Sequence, residues 1–98
     1  MAKLYISEYP MSATSYGSQA AQEPSIAEQT PVVIGAGSLQ SAAFAETTRM
    51  VRLHTDAICS VKFGADPTAT ADSKRMAADA TEYFVVSPGD KVAVITNT

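Results

Sequence analysis

The sequence predicts an all-β protein: a small β-sandwich or jelly-roll-like barrel of about seven or eight short strands with an extended N-terminal arm. Short runs of β-branched and aromatic residues recur along the chain, turn-forming residues separate them, and no stretch sustains a helical apolar repeat. The clearest example is Thr81–Ile95, where two apolar runs flank Ser87–Asp90, with sequence SPGD. This stretch predicts a β-hairpin.

Length and composition indicate one domain that gains stability from neighbours. The chain has 98 residues, of which 46% are hydrophobic and 17% are charged, where ~25% charged residues are usual. A domain of this size has a small core. So little charge on its surface favours a partner that covers part of it. We therefore expect a homo-oligomer.

Charge and hydropathy argue against several classes of partner. The net charge is −3 and basic residues are few, whereas nucleic-acid binding needs a clustered basic face. No apolar run approaches the ~20 residues of a membrane span, and the N-terminus lacks the apolar segment of a secretory signal. We expect neither nucleic-acid nor membrane binding, and synthesis in the cytosol. The single cysteine, Cys59, is expected to be a buried small hydrophobe.

The N-terminal part, residues 1–30, is predicted to be a strand followed by an arm, and residues 31–98 to be the β-sandwich core domain. Lys3–Tyr9 alternates and stops at Pro10, which predicts an edge strand. From Pro10 to Thr30 the chain is rich in Ser, Ala, Gln and Thr, without an apolar period. This stretch is either a disordered tail or an arm that orders on a neighbouring subunit.

Alternation predicts the strands of the middle of the chain. Pro31–Ile34 is a short apolar strand, and the Gly35–Ser38 turn after it lacks the glycine spacing of a phosphate-binding loop. Arg49–Thr55 and Ala57–Phe63 alternate strongly and are separated by a turn at Asp56.

The remaining segments carry weaker signals. Leu39–Phe44 alternates weakly, and Gly64–Asp72 is a long loop with good turn chemistry. Ser73–Ala77 is predicted to be a short strand with Met76 inward, in preference to a helical turn at Thr70–Ala78. The predicted core consists of Val51, Leu53, Cys59, Val61, Phe63, Phe84, Val86, Val92 and Val94.

Residues able to do chemistry are sparse. His54 is the single histidine, and one imidazole cannot supply a histidine-rich metal site. Alternation gives no convergence of His54 with Ser60 and Asp56 as a triad, and no nucleophile elbow is present. The aspartates fall at predicted turns, which explains them structurally. We expect no catalytic residue, cofactor or metal site.

Several linked segments carry a resemblance: Thr48–Ser60 (TRMVRLHTDAICS), Val61–Thr70 (VKFGADPTAT), Glu82–Ile95 (EYFVVSPGDKVAVI) and the opening MAKLYISEY. Together they resemble a group of small, β-rich virion proteins of tailed bacteriophages. The resemblance implies a structural component of a phage particle, located in the virion after synthesis in the host cytoplasm. It implies a capsid decoration or cement protein that binds the major capsid protein, or alternatively a neck, tail or fibre adaptor that binds other virion proteins.

A third possibility is a small-ligand or carbohydrate-binding β-module, which would need an exposed aromatic platform. For the virion hypotheses, partner-binding residues are expected on the arm and on the outward face beside Val51 and Leu53. The candidates are Tyr9, Met11, Tyr16 and Ile26 on the arm, and Arg52 and His54 on the outward face.

Overall fold

Two antiparallel sheets pack face to face, which confirms the all-β prediction and is consistent with a small β-sandwich. The computed structural model of the protein describes residues 2–10, 12–15, 18–21 and 24–97, with side chains for 2–10 and 24–97. The strands are β1 (Lys3–Tyr9), β2 (Ser12–Ser15), β3 (Ser18–Ala21), β4 (Ala27–Glu28), β5 (Val32–Val33), β6 (Leu39–Gln40), β7 (Met50–Thr55), β8 (Cys59–Gly64), β9 (Lys74–Met76), β10 (Thr81–Val85) and β11 (Lys91–Thr96).

The first sheet has the order β10-β7-β1-β4, and β5 also pairs with β1. The prediction of an edge strand for Lys3–Tyr9 is wrong, because β7 pairs with one side of β1 and β4 and β5 pair with the other. Leu4 and Ile6 alternate into the core and are almost completely buried. Pro10 lies one residue beyond the strand, so its missing N–H removes no ladder hydrogen bond.

The second sheet has the order β6-β11-β8-β9. The loop 65–73 crosses the side of this sheet that points away from the core. The Gln40 side chain donates to the Pro67 carbonyl, and the Ala69 N–H donates to Ser38 Oγ. This loop explains why Ser60, which alternation places on the side away from the core, is nevertheless fully buried. Its hydroxyl accepts a hydrogen bond of 2.7 Å from the Asn97 side chain.

The hairpin predicted for Thr81–Ile95 is wrong, although both of its strands exist. β10 pairs with β7 in the first sheet and β11 with β8 and β6 in the second, so Ser87–Asp90 connects the two layers. The physical reason lies in the turn. Pro88 cannot take the positive φ that a two-residue hairpin needs at that position. Gly89 has φ 81°, as at the third position of a type II turn, which does not match the twist of paired strands.

The described part of the segment 10–30 contains more regular structure than predicted. β2 pairs with β3, and β4 pairs with Ser7 and Glu8 of β1. The Ile26 and Gln29 N–H groups donate to carbonyls of β1, which ties the end of this segment to the first sheet. The stretch gave no strand signal because Ser, Ala and Gln provide little hydrophobic alternation. Strands β2 and β3, together with the two-residue strands β4, β5 and β6, explain why the described residues form eleven strands and not the seven or eight predicted.

The core lies between the sheets and contains most of the predicted residues. Phe63, Phe84 and Val86 are partly buried at its margin, and the Phe63 and Phe84 rings meet across the two sheets with centroids 5.0 Å apart. Met76 on β9 is fully buried, which confirms the predicted strand there. Met50 is also buried, although alternation along β7 places it on the side opposite Val51 and Leu53. The core cluster comprises Leu4, Ile6, Ile34, Phe44, Val51, Leu53, Cys59, Val61, Met76, Val92 and Val94.

Candidate functional site

The solvent-facing side of the first sheet, which we call the outer face, gathers polar and aromatic side chains. It forms because β1, β7 and β10 are in register: Tyr5 pairs with His54, and Arg52 pairs with both Ser7 and Tyr83. Alternation sends Leu4, Ile6, Val51 and Leu53 into the core and these residues to the other side. The Tyr5 and His54 rings are in tilted contact, with centroids 6.3 Å apart.

The outer face contains a shallow depression of about 430 Å³. It is lined by one guanidinium, one imidazole, two carboxylates, a phenol and a hydroxyl. These are Arg52, His54, Glu28, Asp56, Tyr5 and Ser7. Charges of both signs and an open shape suit contact with another polar surface better than enclosure of a small apolar ligand.

The edge of the outer face is strand β10, which carries two exposed apolar side chains. Tyr83 is 52% exposed and Val85 is 89% exposed. Among the described strands, only β7 pairs with β10, so the other edge of β10 has no strand partner in the described part of the chain. An unpaired strand edge with apolar side chains is a surface to which another chain can add.

One end of the outer face brings together an imidazole and two carboxylates. A ring nitrogen of His54 and a carboxylate oxygen from each of Asp56 and Asp79 lie within 4.8 Å of one another. His54 is half-buried and the two aspartates are exposed. Asp56 and Asp79 both fall at predicted turns, and the sequence gives no reason to group Asp79 with His54. Finding the group requires knowing that β7 pairs with β10, and the sequence offers no direct signal for that pairing.

The structure brings two of the six predicted partner-binding residues together. Arg52 and His54 are both half-buried on the outer face. Ile26 is 38% exposed and lies next to the end of β1, whereas Tyr9 is 3% exposed and therefore buried within the chain. Met11 and Tyr16 lie outside the described residues. The roles of all six in partner binding stay predictions.

Glu8 is a buried carboxylate that sequence reasoning did not single out. It is 2% exposed, and it accepts hydrogen bonds from the Gln29 side chain at 2.8 Å, the Ala45 N–H at 2.9 Å and the Thr48 hydroxyl at 2.7 Å. These donors compensate the carboxylate for the loss of water. The group ties β1 to the segments before β5 and β7, which is a structural role.

Cys59 is fully buried, as predicted. Burial raises the pKa of its thiol above the usual 9.0, the Thr55 hydroxyl opposes this shift, and the negative charge of Glu82 adds to it. Because the thiolate is the nucleophilic form, a buried thiol held in its protonated state is chemically inert.

Comparison of the chain with protein-family models, curated protein sequences and solved structures found no match. The described residues contain no helix long and apolar enough to cross a membrane.

Proposed function

We propose that the protein is a non-enzymatic structural component of a bacteriophage particle that binds the major capsid protein and reinforces the head shell as a decoration protein. The observation that carries the proposal is the exposed pair Tyr83 and Val85 on the unpaired edge of the first sheet. The choice of partner rests on the resemblance of the strand and turn segments to small phage virion proteins, which was inferred from the sequence alone.

The architecture of the outer face supports binding to a protein surface. Aromatic residues and arginine are enriched at the centres of protein interfaces, and Tyr83 lies directly beside Arg52 on the neighbouring strand. The free edge of β10 can add backbone hydrogen bonds to these side-chain contacts. High local concentration on a shell then stabilises a domain whose own core is small.

A binding experiment with matched variants tests this surface. Heads lacking the protein are mixed with the wild type or with the double variant Tyr83→Ser/Val85→Ser, and the bound fraction is measured by co-sedimentation. We expect at least about a tenfold loss of affinity, because truncating interface anchors costs about 1–2 kcal/mol or more.

The control is Leu39→Ser, because Leu39 is also an exposed apolar residue, at 48%, but lies on β6 in the second sheet. It should bind like the wild type. Equal binding by the double variant and the wild type would contradict the proposed surface, and failure of the wild type to bind heads would contradict the decoration role.

A further inference from the structure

We propose that His54, Asp56 and Asp79 form a binding site for a divalent transition-metal cation such as Zn²⁺. The donor atoms of the three side chains lie within 4.8 Å of one another. One imidazole with two carboxylates is a donor set that suits zinc, manganese or iron, whereas calcium and magnesium favour sites made of oxygen alone.

The fold holds the three ligands on two segments joined by backbone hydrogen bonds. His54 and Asp56 flank the end of β7, and Asp79 lies in the turn before β10. The Asp79 N–H donates to the Thr55 carbonyl at 2.9 Å, and the Thr55 N–H donates to the Ala80 carbonyl at 3.1 Å. Asp79 also has φ 59°, a left-handed conformation that this turn maintains. The positions of the three α-carbons are thus set before any ion binds.

Neighbouring groups orient the ligands. His54 Nδ1 lies 2.8 Å from Thr81 Oγ1, so a ring that donates its Nδ1–H to this hydroxyl leaves the Nε2 lone pair available to a metal. Histidine ligands commonly have their second nitrogen held in this way. The Lys3 N–H donates to Asp56 Oδ2 at 3.2 Å, which leaves Oδ1 free to coordinate.

The distances require a small contraction around the ion. With metal–ligand bonds of about 2.0–2.2 Å, donor atoms around one zinc ion lie about 3.4 Å apart in a tetrahedral arrangement. The exposed carboxylates of Asp56 and Asp79 can rotate to make this contraction. Among the described residues no lysine or arginine forms an ion pair with them, so their charges are available to a cation. Three protein ligands leave a coordination position for water or for a ligand from a partner.

Isothermal titration of the purified protein with ZnCl₂ in a non-chelating buffer tests the site. We expect one ion per chain, and at least a tenfold weaker affinity in His54→Ala, Asp56→Asn and Asp79→Asn. Asn tolerates a positive φ, so Asp79→Asn keeps the turn, and circular dichroism of each variant verifies its fold. Asp72→Asn removes the same charge from an exposed turn outside the group and should bind zinc like the wild type.

Two further readouts identify the ligands directly. In ¹⁵N NMR, zinc should shift the Nε2 resonance of His54, and Thr81→Val should weaken binding by about 10–100-fold through loss of the orienting hydroxyl. Zinc binding that is undetectable, or that is equal in the three ligand variants and in Asp72→Asn, would overturn the proposal. Because these readouts do not involve capsid binding, they are independent of the proposed decoration role.

Discussion

Glu8 shows how one buried residue connects three segments of the fold. Its Oε1 accepts from Ala45 and Thr48, and its Oε2 accepts from the Gln29 amide. The Gln29 amide is fixed in orientation, because its oxygen accepts from the Ala42 N–H and its nitrogen donates to the Ala42 carbonyl. An acceptor is therefore required at both Glu8 oxygens.

We expect Glu8→Gln to lower the free energy of unfolding by about 1–3 kcal/mol, since its new amide nitrogen would face the amide nitrogen of Gln29 and leave a buried polar group unpaired. Urea denaturation measures the change. Glu28→Gln removes a carboxylate from an exposed position and should change stability by less than about 0.5 kcal/mol. Equal denaturation midpoints for the two variants would show that the carboxylate of Glu8 is not required.

Cys59 gives a pH-dependent contribution whose sign follows from its environment. Burial raises the thiol pKa in the folded state above the unfolded value of 9.0. The folded state then retains a proton that the unfolded state loses. The contribution is fully present below pH 9.0 and is lost as pH rises through the folded pKa. Between pH 9.0 and the folded pKa, the stability of the wild type relative to Cys59→Ala should fall by up to about 1.4 kcal/mol per pH unit. Urea denaturation of both proteins across this range measures the difference, and a constant difference would contradict the assignment.

At the scale of elements, the Pro88-Gly89 turn directs the chain from one sheet to the other. The Gly89 N–H donates to the Phe44 carbonyl at 3.0 Å, and the Asp90 carbonyl accepts from the Phe44 N–H at 2.8 Å. The turn therefore pairs with the segment before β7 and not with the ends of a hairpin. A residue with a side chain at position 89 would resist the positive φ that this turn requires.

Gly89→Ala should destabilise the protein by roughly 1–2 kcal/mol, because a left-handed φ strains a residue with a Cβ. Space is not the cause, since a Cβ at this position would meet no atom within 4 Å. Gly37→Ala provides the control: it is equally open and has no positive φ, so its stability should be unchanged or slightly higher. Similar thermal unfolding midpoints for both variants would contradict a type II turn at Ser87–Asp90.

The elements that sequence reasoning predicted well are those with one buried face. Strand β7 is the clearest case, since Val51 and Leu53 alternate with the half-buried Arg52 and His54. Strand pairing could not be predicted in the same way, because β10 is apolar on both faces and its pairing depends on tertiary packing. Alternation correctly places Arg52 and His54 on the face opposite Val51 and Leu53. The proximity of Asp79 to His54 could not be predicted, because it depends on the pairing of β7 with β10.

At the scale of the whole molecule, the two sheets differ in how much of the side that points away from the core is covered. The loop 65–73 crosses the second sheet and buries Ser60 and Ala93. On the first sheet Tyr5, Tyr83 and Val85 remain exposed. This difference supports the proposal that the first sheet carries the interaction surface, with β10 at its edge. The low charge of the chain had pointed to a covered surface without locating it.

The central claim is that the protein decorates a phage head, and its copy number per particle tests this most directly. Quantitative gel densitometry of purified tailed-phage particles that carry this gene compares the protein with the major capsid protein. The decoration role predicts a copy number that scales with the number of capsid subunits. The small fixed number of a neck or tail ring would favour an adaptor instead, and absence of the protein from purified particles would contradict a virion role altogether.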